Sequence, residues 1–153
     1  MIVTFFGHSD FVGNKKYKEE MASILEEYHP EQVDFYLGGY GGFDGFALEF
    51  CQDYKKEHPS ARLFYITPYL GETLERHRKY LETIYDGIIY PPIENVPKKY
   101  AISKRNRWMV RRSEMVIAYV TRHYGGAYEA CAYAWRYIGM GSVKNLYKGK
   151  FKF

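Results

Sequence analysis

Disulfide chemistry has little to work with in this chain, whose 153 residues include two cysteines, Cys51 and Cys131. Both fall in stretches that read as helices and neither shows metal-type spacing, so they read as reduced core thiols in a cytoplasmic protein. Long apolar runs are missing too. No window approaches the roughly 18 uninterrupted apolar residues of a membrane span, and Met1 to Phe6 lacks the basic flank and apolar stretch of a secretion signal. Neither a secreted protein nor a membrane partner is expected. Charge of one sign is also scarce: 22 Lys and Arg against 18 Asp and Glu leave a net +4. That balance is modest for a strand-binding surface and argues against nucleic acid as a partner. With no repeat, linker or low-complexity tract, residues 1–153 are expected to form one domain, large enough to bury a core without staples.

Aromatic side chains are in excess. They make up 19% of the chain, with 17 Tyr and 10 Phe, which is compatible with base stacking as well as with packing. Short β-branched and aromatic runs alternate with helical stretches. The strands are expected at Ile2 to Phe6, Val33 to Leu37, Arg62 to Ile66, Gly87 to Tyr90, Met115 to Val120 and Val143 to Leu146. Helical spacing covers Asn14 to Tyr28, Phe43 to His58 and Ala127 to Ile138, and a fourth helix is expected from an N-cap at Ser103 to about Arg112. Pro91, Pro92 and Pro97 make Tyr90 to Tyr100 an ordered loop or lid. This is the pattern of an α/β three-layer sandwich around a mainly parallel sheet of five or six strands.

In such a sheet the ligand crevice lies beyond the carboxyl ends of the strands. The glycines collect there, as Gly7-His8-Ser9-Asp10, Gly38-Gly39-Tyr40-Gly41-Gly42-Phe43-Asp44 and His123-Tyr124-Gly125-Gly126. Without Cβ atoms such loops let a phosphate approach the backbone, or they simply turn the chain. Asp44 either caps the following helix or meets a ribose or loop amides. Asn106 interrupts the apolar row Ile102, Met109, Val110, and Arg105 beside it offers planar donors suited to phosphate. His8 is a candidate acid or base, or a hydrogen-bonded turn residue; His77 and His123 could stand near the site. Glu129 either offsets a helix N-terminal charge or faces a ligand. No histidine has metal-ligand spacing, and neither metal nor cofactor is expected.

Five segments taken together, Thr4 to His8, Gly38 to Ala47, Arg105 to Val110, Ser113 to Tyr119 and Tyr124 to Tyr128, resemble the SLOG superfamily. That Rossmann-like group includes the Lonely Guy phosphoribohydrolases and the DNA-processing proteins of transformation, and this chain is most similar to its small bacterial and phage members. The resemblance covers nearly the whole chain and implies a Rossmann-like sheet that binds a nucleotide or nucleotide derivative. Arg105 falls where the phosphoribohydrolases place a substrate-binding arginine. Their paired glutamates are replaced by Cys131 and Ala132, with Glu129 two residues earlier, and Ser9 stands where small relatives usually carry arginine.

The leading expectation is therefore a site for a nucleotide-derived small molecule at the carboxyl edge, in a sensor, a sequestering protein or an enzyme. Gly7, His8, Gly39, Gly41, Gly42, Gly125 and Gly126 would line it, Arg105 would supply charge, Asp44 and Asn106 anchors, and Tyr40 or Tyr124 a stacking face. An alternative is a nucleoside 5′-monophosphate N-glycosidase with Arg105 and Glu129 as catalytic residues. A third reading, ranked last on charge, is single-strand binding through Lys98 to Arg112 and Lys144 to Phe153. A homo-oligomer is left open.

Overall fold

The computed structural model describes every residue from Met1 to Phe153. Six strands, β1 (Ile2–Gly7), β2 (Asp34–Leu37), β3 (Arg62–Ile66), β4 (Gly87–Ile89), β5 (Met115–Tyr119) and β6 (Val143–Asn145), form one sheet. Its order is β4-β3-β2-β1-β5-β6, and every pairing is parallel. Five helices connect them: α1 (Lys15–Tyr28), α2 (Gly41–Glu57), α3 (Glu72–Ile84), α4 (Ala101–Arg112) and α5 (Gly126–Tyr137).

Alternation along the strands divides the core between two faces. Val3 and Phe5 of β1 meet Met21 and Leu25 of α1 and Phe43, Ala47 and Phe50 of α2, with Leu81 and Ile84 of α3 packed on the same cluster. Phe6 points the other way, with Val116 and Ala118 of β5, toward Met109 and Val110 of α4 and Ala130, Cys131 and Ala134 of α5. The small residues on α5 let that helix approach the sheet closely. Both cysteines are free and buried, and desolvation raises their thiol pKa values, which leaves them unreactive. Because the chain builds outward from β1 through β4 and then returns to β5, the connection order reverses between β1 and β5, and a crevice opens there at the carboxyl edge. No helix is long and apolar enough to cross a membrane.

The local departures from the sequence pattern have physical causes. Residues 72–84 form α3, although only Leu74 of that helix is buried; its polar composition hides the helical stripe, and Gly71 before it provides no side-chain cap. The helix expected from Ser103 starts at Ala101 instead. A 3-10 turn at Lys98–Tyr100 leads into it, with the Tyr100 N–H donating to the Pro97 carbonyl, so no capping side chain is required. α2 likewise begins at Gly41 rather than Phe43, which places two of the loop glycines in its first turn. Asn14 does cap α1, its side chain accepting from the Tyr17 N–H at 3.3 Å.

Candidate functional site

The loops after β1 and β2 lock onto each other. The Gly42 N–H donates to the Ser9 carbonyl at 2.8 Å and the Phe43 N–H to the His8 carbonyl at 3.3 Å. Most glycines here make room for neighbouring protein. A Cβ on Gly7 would stand 2.2 Å from Cγ of Phe43, one on Gly42 2.4 Å from the Phe11 carbonyl oxygen, and one on Gly39 2.6 Å from the Tyr65 ring. Gly41, at φ +86°, would bring a Cβ within 2.7 Å of Ser9. Of the glycines in the three loops after β1, β2 and β5, Gly125 and Gly126, at the start of α5, face open space. His8 is buried, and its Nε2 accepts from the Thr121 N–H at 3.0 Å, joining the end of β1 to the end of β5. Burial foremost, and then Arg122, hold its pKa below the ordinary histidine value, as an acceptor role requires.

Beneath these loops lies a cleft of about 130 Å³ lined by Gly7, Gly38, Tyr40, Asp44, Arg105, Asn106 and Gly126, among others. Arg105 is 4% exposed. Its Nε donates to Oδ1 of Asn106 at 3.1 Å, and its Nη1 to the carbonyls of Gly38 at 3.1 Å and Ile66 at 3.0 Å, which ties α4 to the ends of β2 and β3. Nη2 donates to no atom of the chain. Burial lowers the Arg105 pKa, with Asp44 the main opposing influence. Half-buried Asp44 accepts from the Tyr40 N–H at 2.8 Å, reaching back to the residue before α2. Desolvation pushes its carboxyl up to about 6 against the pull of that N–H and of Arg105. The cleft thus unites Gly7, Tyr40, Asp44, Arg105, Asn106 and Gly126, whereas His8, Gly39, Gly41, Gly42, Tyr124, Gly125 and Glu129 lie outside its walls. Glu129 is exposed in the first turn of α5.

Around this cleft, tyrosines stand out from the carboxyl edge. Tyr40 follows β2 and is 67% exposed, and Tyr124 follows β5 and is 68% exposed. Three of the exposed tyrosines at this edge carry a cation over the ring, Lys98 over Tyr69 at 5.6 Å, Lys99 over Tyr100 at 5.0 Å and Arg122 over Tyr124 at 5.3 Å, as does Tyr28 at the end of α1, where Lys144 lies 5.6 Å from the ring. Arg122 also reaches Asp10 at 3.4 Å, and its Nε is the one buried side-chain nitrogen or oxygen without a hydrogen-bond partner. On the β3–β4 side a second hollow, of about 830 Å³, opens between α3 and the proline loop. Tyr40 lines both. Sequence reasoning passed over Tyr65, Tyr69 and Arg122; the available signal was Tyr69 in the segment that leaves β3 and Arg122 in the one that leaves β5, whereas Tyr65 lies within β3. His123 is occupied elsewhere, stacked on Phe151 at 4.3 Å with Nε2 2.7 Å from the Lys152 carbonyl oxygen.

No family model matches the chain, and no curated protein matches it in sequence. Solved structures do share its fold. DNA processing protein A from Helicobacter pylori aligns with a TM-score of 0.58 at 20% identity, over 90% of this chain and 61% of that one. DNA processing protein A from Streptococcus pneumoniae aligns with a TM-score of 0.57 at 13% identity, over 90% of this chain and 47% of that one. The chain therefore spans about half to three-fifths of those proteins, and its fold is Rossmann-like, as theirs is. The Helicobacter pylori structure concerns a single-stranded DNA binding mode. That finding overturns the expectation that nucleic acid is not a partner. Net charge was the wrong criterion, because it averages over the whole surface, whereas a strand meets only the local arrangement of cations and rings along one edge.

Proposed function

We propose that the carboxyl edge of the sheet binds single-stranded nucleic acid, and that the chain is a member of the SLOG superfamily. The observation that carries this reading is the row of exposed tyrosines, three of them paired with a cation. Stacking on aromatic rings holds bases without regard to sequence, while lysine and arginine track the phosphates. Tyr40 and Tyr124 offer platforms on either side of the cleft, and Lys98, Lys99 and Arg122 supply charge along the same edge. The cleft itself, with the unpaired Nη2 of Arg105 and open space at Gly126, suits one phosphate of the strand. Likeness of fold to a protein with a single-stranded DNA binding mode supports the same reading.

A fluorescein-labelled mixed single strand, followed by anisotropy, tests it. Affinity is expected to fall steeply between about 50 and 200 mM salt as counterions are released, and replacing Lys98 and Lys99 together with Ala is expected to flatten that slope by roughly one to two phosphates. No anisotropy change at the lower salt, at protein concentrations well above micromolar, would contradict the proposal.

A further inference from the structure

The geometry points to the hollow between α3 and the proline loop as a pocket for a nucleobase that carries an exocyclic amine, an inference that rests on the strand-binding reading above. Its walls are aromatic and apolar: Tyr65, Tyr69 and Tyr90 face it together with Leu74 and Ile93. Its volume of about 830 Å³ falls within the roughly 300–1,000 Å³ of small-molecule sites. Tyr65 is a fixed wall. Its ring occupies the space that a Cβ on Gly39 would fill, and it rests against Tyr85 with centroids 5.4 Å apart.

The polar groups around the pocket decide what can enter. Glu72, Glu94 and His77 stand at it, against a single cation, Lys98. Two carboxylates make it a poor place for phosphate and a good one for N–H donors. The Nδ1 of His77 lies 2.8 Å from the Thr73 carbonyl, so Nδ1 donates there and the tautomer that does so carries its acceptor at Nε2. The Thr67 hydroxyl is already used, donating to the Tyr69 carbonyl at 2.8 Å and accepting from the Tyr69 N–H at 3.2 Å. An uncharged heteroaromatic ring with outward N–H groups matches this set: adenine, cytosine or guanine, rather than thymine, whose edge presents mainly carbonyl oxygens. Continuity gives the connection to the strand. Tyr40 lines both the phosphate-type cleft and this pocket, so a base turned out from a backbone held in the cleft passes that ring to enter.

Four hexamers test the inference by anisotropy competition: dA6, dC6, dT6 and a hexamer of abasic residues. Wild-type protein is expected to bind dA6 and dC6 about tenfold more tightly than dT6, and the abasic hexamer most weakly. His77→Trp, a substitution at an exposed helix position that narrows the pocket and removes its ring acceptor, is expected to bring dA6 and dC6 to the affinity of dT6 while leaving the abasic hexamer unchanged. Equal binding of dA6, dC6 and dT6 by wild type, with steep salt dependence intact, would overturn the base pocket and leave the strand-binding reading standing. Failure of every hexamer to bind at low salt would overturn both.

Discussion

Arg105 does structural work with the same atoms that make it look like a ligand residue. Its guanidinium holds two strand-end carbonyls and the Asn106 side chain, so Arg105→Ala is expected to destabilise the protein by roughly 2–4 kcal/mol, measured by urea unfolding, as those buried acceptors lose their donor. A loss of less than about 0.5 kcal/mol would mean that the contacts are incidental. Asp44 gives a pH signature. Its folded-state pKa of about 6 lies above the ordinary 3.8, so the folded protein binds the extra proton between those values. That contribution stabilises below about pH 4 and is lost as pH rises through 6. Asp44→Asn keeps an acceptor for the Tyr40 N–H without the ionisation. Its stability relative to wild type should be higher at pH 7.5 than at pH 4, by up to about 3 kcal/mol. An equal difference at both pH values would contradict the burial argument. His8 works in the opposite sense. Its depressed pKa means that stability is lost as pH falls below 6.5 and the ring must give up its bond to Thr121.

At the scale of elements, the two glycine loops do different jobs. Gly41→Val is expected to destabilise severely or prevent folding, because φ +86° and Ser9 both exclude a branched side chain. A Cβ on Gly126 meets nothing within 4 Å beyond its own turn of α5, which leaves room for Gly126→Val. It should fold with a melting temperature within a few degrees of wild type and lose strand affinity by at least about tenfold, because the new side chain enters the cleft. Retained affinity in Gly126→Val would remove the cleft from the site. The sequence pattern made six strands and four helices legible, since each carries apolar residues at a clear period. It hid α3, whose apolar stripe is thin, and it hid the reasons for the glycines. A run such as Gly38 to Gly42 looks the same whether a Cβ would strike a phosphate or Ser9, Phe11 and Tyr65, and only the packing of the β1 and β2 loops distinguishes the two. Arg105 and Asn106 were legible as polar residues on a sheet-facing helix surface; which carbonyls Arg105 meets depends on strand ends 67 and 39 residues away.

For the whole molecule, the topology gathers what the sequence scatters. Tyr40, Tyr69, Tyr100 and Tyr124 are spread over more than half the chain, yet parallel strands with returning helices bring every one of their loops to the same edge. Tyr28 and Tyr137 are also exposed, but they close helices that run back toward the opposite edge. This asymmetry permits a direct test: ultraviolet crosslinking to a single strand carrying 5-iododeoxyuridine, with the modified residues identified by peptide mass spectrometry. Strand binding at the carboxyl edge predicts adducts on Tyr40, Tyr69 or Tyr124, diminished by high salt. Adducts confined to Tyr28 or Tyr137, or no salt-sensitive adduct at all, would contradict it.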